Sequence, residues 1–167
     1  MTYLQQITSE HAAALKTARL RSLQDTPTAF GSTYEDESQF GDVDWLKRAS
    51  DWNSDRVTGY LALDQEVPCG LIRGYIDEEN PERAYVASMW VAPAYRRAGL
   101  GSDLMNAVQR WAEVRNVRQI RLMVTNINKG AISFYERQGF SLTGLTEPYP
   151  NDPALRECEM LKLLRRG

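Results

Sequence analysis

The change of hydrophobic period between Ala84 and Ala112 limits this chain more than any other feature. Ala84–Val91 reads as an apolar strand, whereas Leu100, Leu104, Val108, Trp111 and Ala112 recur at helical spacing, in a helix ending near Asn116. Pro93 stops the strand, and a turn holding Gly99 and Gly101 opens straight into the helix. The first N–H groups of such a helix have no intrahelical partners, and the helix dipole adds positive potential there. Glycine lets the backbone come close to an anion, and Arg96 and Arg97 place two cations in the same turn. This chemistry suits a phosphate, and a run of N–H groups pointing one way suits a pyrophosphate.

Two familiar nucleotide loops fail on inspection. Gly99-Leu100-Gly101-Ser102-Asp103-Leu104 carries two of the three dinucleotide-fold glycines but has Leu104 at the third, and the next strand closes at Val124-Thr125 without an acid. A phosphate-binding P-loop needs lysine after its last glycine, and Ser102 stands there.

The remaining pattern is mixed. Tyr3–Thr8 reads as a strand and Ser9–Asp25 as a helix, with Ser9 as its cap and Thr26-Pro27 as its end. Ala29–Ser50 predicts one or two short helices. Strands follow at Val57–Leu63 and Cys69–Ile76, before the one at Ala84–Val91. Beyond the central helix come a strand at Gln119–Thr125, a helix at Lys129–Gln138 and a strand at Phe140–Leu145. A Pro-rich loop at Glu147–Pro153 then leads to a last strand at Arg156–Leu163. This order predicts a single α+β domain over residues 1–167, with a central, partly antiparallel sheet.

Several function classes drop out. The net charge of -2 disfavours nucleic acid as main partner and is compatible with a basic one such as an amine. His11 is the only histidine, so histidine-rich metal sites are excluded; it reads as a solvated first-turn residue, and no metal is expected. Cys69 and Cys158 match neither a disulfide framework nor a zinc site. The N-terminus lacks a signal-peptide pattern and no apolar run is long enough to span a membrane, which makes the cytoplasm the expected setting and a membrane no partner.

The glycine loop resembles the coenzyme A pyrophosphate loop of the GNAT superfamily of N-acetyltransferases, with Arg96, Gly99 and Gly101 at the three fixed positions of Arg/Gln-x-x-Gly-x-Gly/Ala. Val91, Pro93 and Tyr95 match the usual approach to it. A second family element follows in Asn128-x-x-Ala131-x-x-Phe134-Tyr135-x-x-x-Gly139-Phe140. The resemblance implies a mixed sheet of about seven strands flanked by helices and splayed between the fourth and fifth strands. It implies acetyl-CoA as co-substrate, a small-molecule or peptide amine as acceptor, and leaves a homodimer open.

Roles follow residue by residue. The resemblance gives the main chain of Met89, Trp90 and Val91 to pantetheine and to the oxyanion, and the loop of Arg96, Arg97, Ala98, Gly99, Leu100, Gly101 and Ser102 to the pyrophosphate. It gives Asn128 to the coenzyme and Tyr135 to the leaving thiolate. Plainer readings stand beside these: Met89, Trp90 and Val91 as core side chains, Asn128 as a helix cap, Tyr135 as helix-face packing. Many relatives carry a glutamate base on a splayed strand, but the inward residues here are Ser88 and Met123. Glu35, Asp36, Glu37 and Glu147 lie in segments that border the acceptor cleft of similar folds. A catalytically silent acyl-CoA-binding sensor or regulator is the alternative function.

Overall fold

The computed structural model describes residues 1–165. Its centre is a seven-stranded sheet built from β1 (Thr2–Gln6), β2 (Val57–Asp64), β3 (Val67–Ile76), β4 (Arg83–Val91), β5 (Gln119–Thr125), β6 (Ser141–Tyr149) and β7 (Asp152–Leu163). The strands lie in the order β1-β2-β3-β4-β5-β7-β6. All neighbours run antiparallel except β4 and β5, which are parallel. That parallel pairing joins only Arg83, Ala84 and Tyr85 to Gln119, Ile120 and Arg121, so the two strands part beyond Tyr85.

The parting begins at an irregularity in β4. Leu71 pairs with Trp90 and Arg73 with Ala87, leaving Ser88 and Met89 opposite the single residue Ile72. Ser88 takes φ +57°, a left-handed angle that turns the strand and identifies the extra residue of a β-bulge. The expected splayed sheet is therefore present, with a physical cause in β4 itself.

Helices cover both faces. Against one face lies α4 (Leu100–Val114), whose Leu100, Leu104, Met105, Val108, Trp111 and Ala112 are buried, as the helical spacing predicts. Its approach is close: a Cβ on Gly74 would sit 2.6 Å from Val108 Cγ1. The other face carries α1 (Ala12–Asp25), α2 (Tyr34–Glu37) and α3 (Asp42–Asp51). Beside the open gap lies α5 (Lys129–Arg137).

Two local expectations shift. Thr8, not Ser9, caps the first helical turn: its Oγ1 accepts from Glu10 N–H, and its own N–H donates to His11 Nδ1 at 2.9 Å. His11 is thus a structural member of a capping box, only partly solvated. The expected Pro-rich loop at Glu147–Pro153 is mostly strand, because β6 and β7 form one long hairpin turning at Pro150-Asn151. Pro148 is tolerated within β6 because β6 is the sheet edge, where an absent N–H costs no ladder bond. Among the described residues, no helix is long and apolar enough to cross a membrane.

Candidate functional site

The open gap between β4 and β5 leads into a cavity of about 850 Å³. Its walls come from β4 (Met89, Trp90, Val91), the loop and first turn of α4 (Arg96, Arg97, Gly99, Gly101, Ser102) and α5 with the turn before it. Gly130, Ala131, Phe134, Tyr135 and Gln138 of α5 recur at helical spacing and present one face to the cavity. Thr26 and Ala29, beyond the end of α1, complete it. Exposed Arg97, Lys129 and Arg137 supply a cationic rim, and buried Trp90 and Tyr135 an inner apolar part.

The loop is shaped for close approach. Gly99 carries φ +86° at the N-cap of α4, a left-handed angle that costs any other residue strain, and no side chain caps this helix. The first-turn N–H groups therefore keep their capacity for an outside anion. Gly101 has helical backbone and serves a different end. A Cβ there would lie 3.1 Å from the Phe134 ring and 3.4 Å from the Met89 methyl, so its hydrogen lets α4, α5 and β4 converge.

Arg96 is braced within the protein. Its Nε donates to Val91 O at 2.9 Å, and its terminal nitrogen pairs with Asp25, which also accepts the Trp90 indole N–H at 3.0 Å. The same triad shows that Val91 O faces away from β3, whereas Ala92 N–H donates toward it, to Cys69 O. Strand alternation then sends the Val91 N–H into the gap. Ser102 Oγ accepts from Gln138 Nε2 at 2.8 Å and ties the start of α4 to α5. Ala98 and Leu100 do not line the cavity, and the Leu100 side chain is buried in the core.

Asn128 occupies the N-cap position of α5 but makes no side-chain cap. It lines the cavity and leans on Thr28, whose hydroxyl donates to Asn128 Oδ1 at 3.4 Å. Tyr135 is 8% exposed, with its ring edge-on to Phe134 and Phe140. Burial pushes its phenol far above the ordinary value, so the hydroxyl keeps its proton across the physiological range.

The residues expected to border an acceptor lie on the other face of the gap. Ser88 Oγ accepts from Arg19 at 3.3 Å, and Met123 is half-buried on β5. Of the four acids in the bordering segments, Glu37 is buried and held by Arg19 at 2.9 Å and Arg48 at 2.6 Å. Burial raises its pKa, but the bonds and charge of Arg19, with help from Ser32 and Arg48, outweigh that and hold it below the usual range. Glu37 is therefore an anchor. Glu147 pairs across the hairpin with Glu157, whose carboxyl is shifted upward by burial and then by the Glu147 charge. Sequence reasoning missed Glu157 because its partner lies across a hairpin where a loop was expected. It also missed Lys129 and Arg137, although both belong to the helix that carries the second motif.

The wall between the two sides is pinned from three directions. Thr125 Oγ1 donates to Thr28 O at 2.6 Å, and the buried Tyr149 hydroxyl donates to Pro27 O and Phe30 O. Asn151 Nδ2 reaches Phe30 O at 3.2 Å.

Known proteins with this arrangement are numerous. An acetyltransferase of the GNAT family from Streptococcus pneumoniae superimposes with TM-score 0.82 at 21% identity, covering 99% of this chain and 100% of that one. The PaiA N-acetyltransferase of Thermoplasma acidophilum, solved with coenzyme A, gives 0.76 at 16% identity over 98% and 99% of the two chains. In sequence, a probable N-acetyltransferase of Drosophila melanogaster, san, is 33% identical over 109 residues, 64% of this chain and 59% of that protein. Across this and two further curated relatives, the chain spans 59%, 34% and 57% of their length. The chain belongs to the Acetyltransferase (GNAT) family, whose model it matches over residues 18–140.

Proposed function

We propose that the protein acts in the cytoplasm and moves the acetyl group of acetyl-CoA to a primary amine of a small molecule or peptide. The observation that carries this reading is the cavity itself. An uncapped helix start and a cationic rim meet a narrowing, apolar interior at the opened edge of β4. Those parts match the pyrophosphate, the pantetheine arm and the thioester in turn.

In this reading the backbone of Arg97–Ser102 holds the pyrophosphate, while Arg96 fixes the loop to β4 and α1. The main chain at Met89–Val91 pairs with the pantetheine arm, and the Val91 N–H faces the oxygen on which charge develops. Asn128 contacts the coenzyme beside the wall it helps to pin. The amine nitrogen attacks the thioester carbon, the C–S bond breaks, and the departing thiolate takes the proton of Tyr135. The acceptor ammonium loses one proton to solvent before attack, and the nitrogen releases a second as the amide forms, which balances the reprotonation of Tyr135.

Two measurements test the assignment. Acetyl-CoA at millimolar concentration raises the unfolding temperature, with NAD and ATP as controls that do not. Thiol release across a panel of primary amines then separates a transferase from a silent acyl-CoA sensor. Absence of any shift removes the coenzyme site, and a shift without turnover favours the sensor.

Substitution of Gly101 probes the loop separately. Gly101→Val drives methyl groups into Phe134 and Met89, and overpacking of this kind costs about 1–3 kcal/mol. The strain falls on the three elements that frame the cavity. We expect the acetyl-CoA Kd, read by calorimetry, to rise about tenfold or more in a protein that stays folded. An unchanged Kd would sink the loop assignment.

A further inference from the structure

The face of the sheet opposite α4 is the less buried one. Ala84, Val86, Leu122 and Val124 are buried, whereas Arg73, Tyr75, Tyr85, Ala87, Arg121 and Met123 alternate with them and are half-buried. Most arginines on and beside that half-buried face have an acidic partner. Arg83 pairs with Asp77 at 3.3 Å and Arg121 with Glu159 at 3.2 Å, while Arg19 and Arg48 share Glu37.

Arg73 is the exception. Among the described residues no carboxylate, carbonyl or hydroxyl bonds to it, and its Nε is buried with no hydrogen-bond partner. Its guanidinium lies over the rings of Tyr75 and Trp52, at 4.7 and 5.4 Å from their centroids. Ring faces attract the cation but leave its in-plane N–H donors unused. Arg19 and Arg48 add positive charge nearby, and the Glu37 carboxylate between them is bonded to those two arginines, not to Arg73. Burial, partly offset by Tyr75 and reinforced by the Arg48 and Arg19 charges, lowers the proton affinity of Arg73.

The position of this orphan cation relates it to the reaction. Arg73 pairs with Ala87, the residue before the Ser88 bulge that opens the β4–β5 gap. An oxyanion bound by Arg73 therefore sits beside the entrance through which the acceptor nitrogen must pass. Planar guanidinium donors match the two oxygens of a carboxylate with paired bonds.

We propose that the acceptor is an amino-acid-like molecule, whose carboxylate is bound by Arg73 while its amine, a few bonds away, enters the gap. This rests on the transferase reading and narrows its acceptor class. Tyr75 and Trp52 hold the guanidinium in place, and the Glu37 clamp leaves Arg73 free for the substrate.

The test compares acceptors in matched pairs, each amino acid against its own C-terminal amide, with the wild-type protein. The carboxylate form is expected to give a kcat/KM roughly 10- to 100-fold higher, because the amide leaves a buried charge unpaired. Arg73→Met keeps the aliphatic stem and is expected to erase that preference by raising the KM of the carboxylate forms toward that of the amides, while Arg73→Lys restores part of it. Equal use of acid and amide by the wild type overturns the proposal, as does an Arg73→Met variant that loses both equally. If Arg73→Met does not fold, the wild-type comparison alone decides. Turnover of amines lacking a carboxylate, with no gain from one, overturns the proposal and leaves the transferase reading standing. Failure of every acceptor removes both.

Discussion

Tyr135→Phe is expected to lower kcat about 100-fold, with the acetyl-CoA Kd nearly constant. General-acid assistance typically supplies ~10²–10⁴-fold, and a thiol with an ordinary pKa near ~8.5 leaves readily enough to put this case at the lower end. The phenylalanine retains the edge-on ring contacts with Phe134 and Phe140, so folding and coenzyme affinity have little to lose. The acid form is the active one. Because burial raises the phenol pKa, its loss on the alkaline side moves to higher pH, and the wild-type profile should show no tyrosine limb below about pH 10. Steady-state kinetics with a calorimetric Kd for each protein checks both points. An intact kcat with weakened affinity would make Tyr135 a binding residue, and no change in either would leave it as packing.

Glu37→Ala should cost more in stability than any surface change, about 3–5 kcal/mol. The carboxylate is 2% exposed and accepts from Arg19 Nε and Arg19 Nη2 as well as from Arg48. Removing it leaves Arg19, itself 8% exposed, as an unpaired buried charge among Phe30 and the α1 core. For a chain of this size that corresponds to a fall in Tm of about 10 °C. The pH dependence has a definite sign. A carboxyl held below its unfolded pKa contributes stability above that pKa and loses it as pH falls toward the lowered folded value. The wild type should therefore weaken on acidification by an increment that the alanine variant lacks. Denaturant titration at neutral and acid pH measures it, and parallel curves for the two proteins would show that the clamp contributes nothing.

The parts that were legible in the sequence are local ones. Leu100 to Ala112 declares its helix by spacing, and Gly99 and Gly101 declare a turn, because neighbours along the chain suffice to define both. Even there the two glycines divide the work in a way the sequence does not reveal, Gly99 by angle and Gly101 by packing against Phe134. What stayed hidden depends on contacts between distant segments. Glu35, Asp36 and Glu37 look alike in a row, but only Glu37 turns inward, toward partners 18 residues before it and 11 after it. Pro148 argues for a loop until β6 is known to be an edge strand. Nothing near Tyr149 announces that its hydroxyl closes on Phe30, 119 residues earlier. Arg73 looks like any strand arginine until the partners of all the others are known.

The short parallel pairing of β4 with β5 has a mechanical consequence. It divides the sheet into two leaves, β1–β4 and β5–β7–β6, whose ladder contact is confined to Arg83–Tyr85 at one end. At the wide end, where the cavity lies, no ladder joins the leaves, and the opening is held instead by the bonds of Thr125, Tyr149 and Asn151 to the segment after α1. A molecule spanning that end acts as a brace, and part of its affinity is spent stiffening the joint. In the proposed function acceptor and coenzyme enter opposite sides of one wedge, so each would meet an opening set in part by the other. The two sites can thus influence one another through the width of the opening they share.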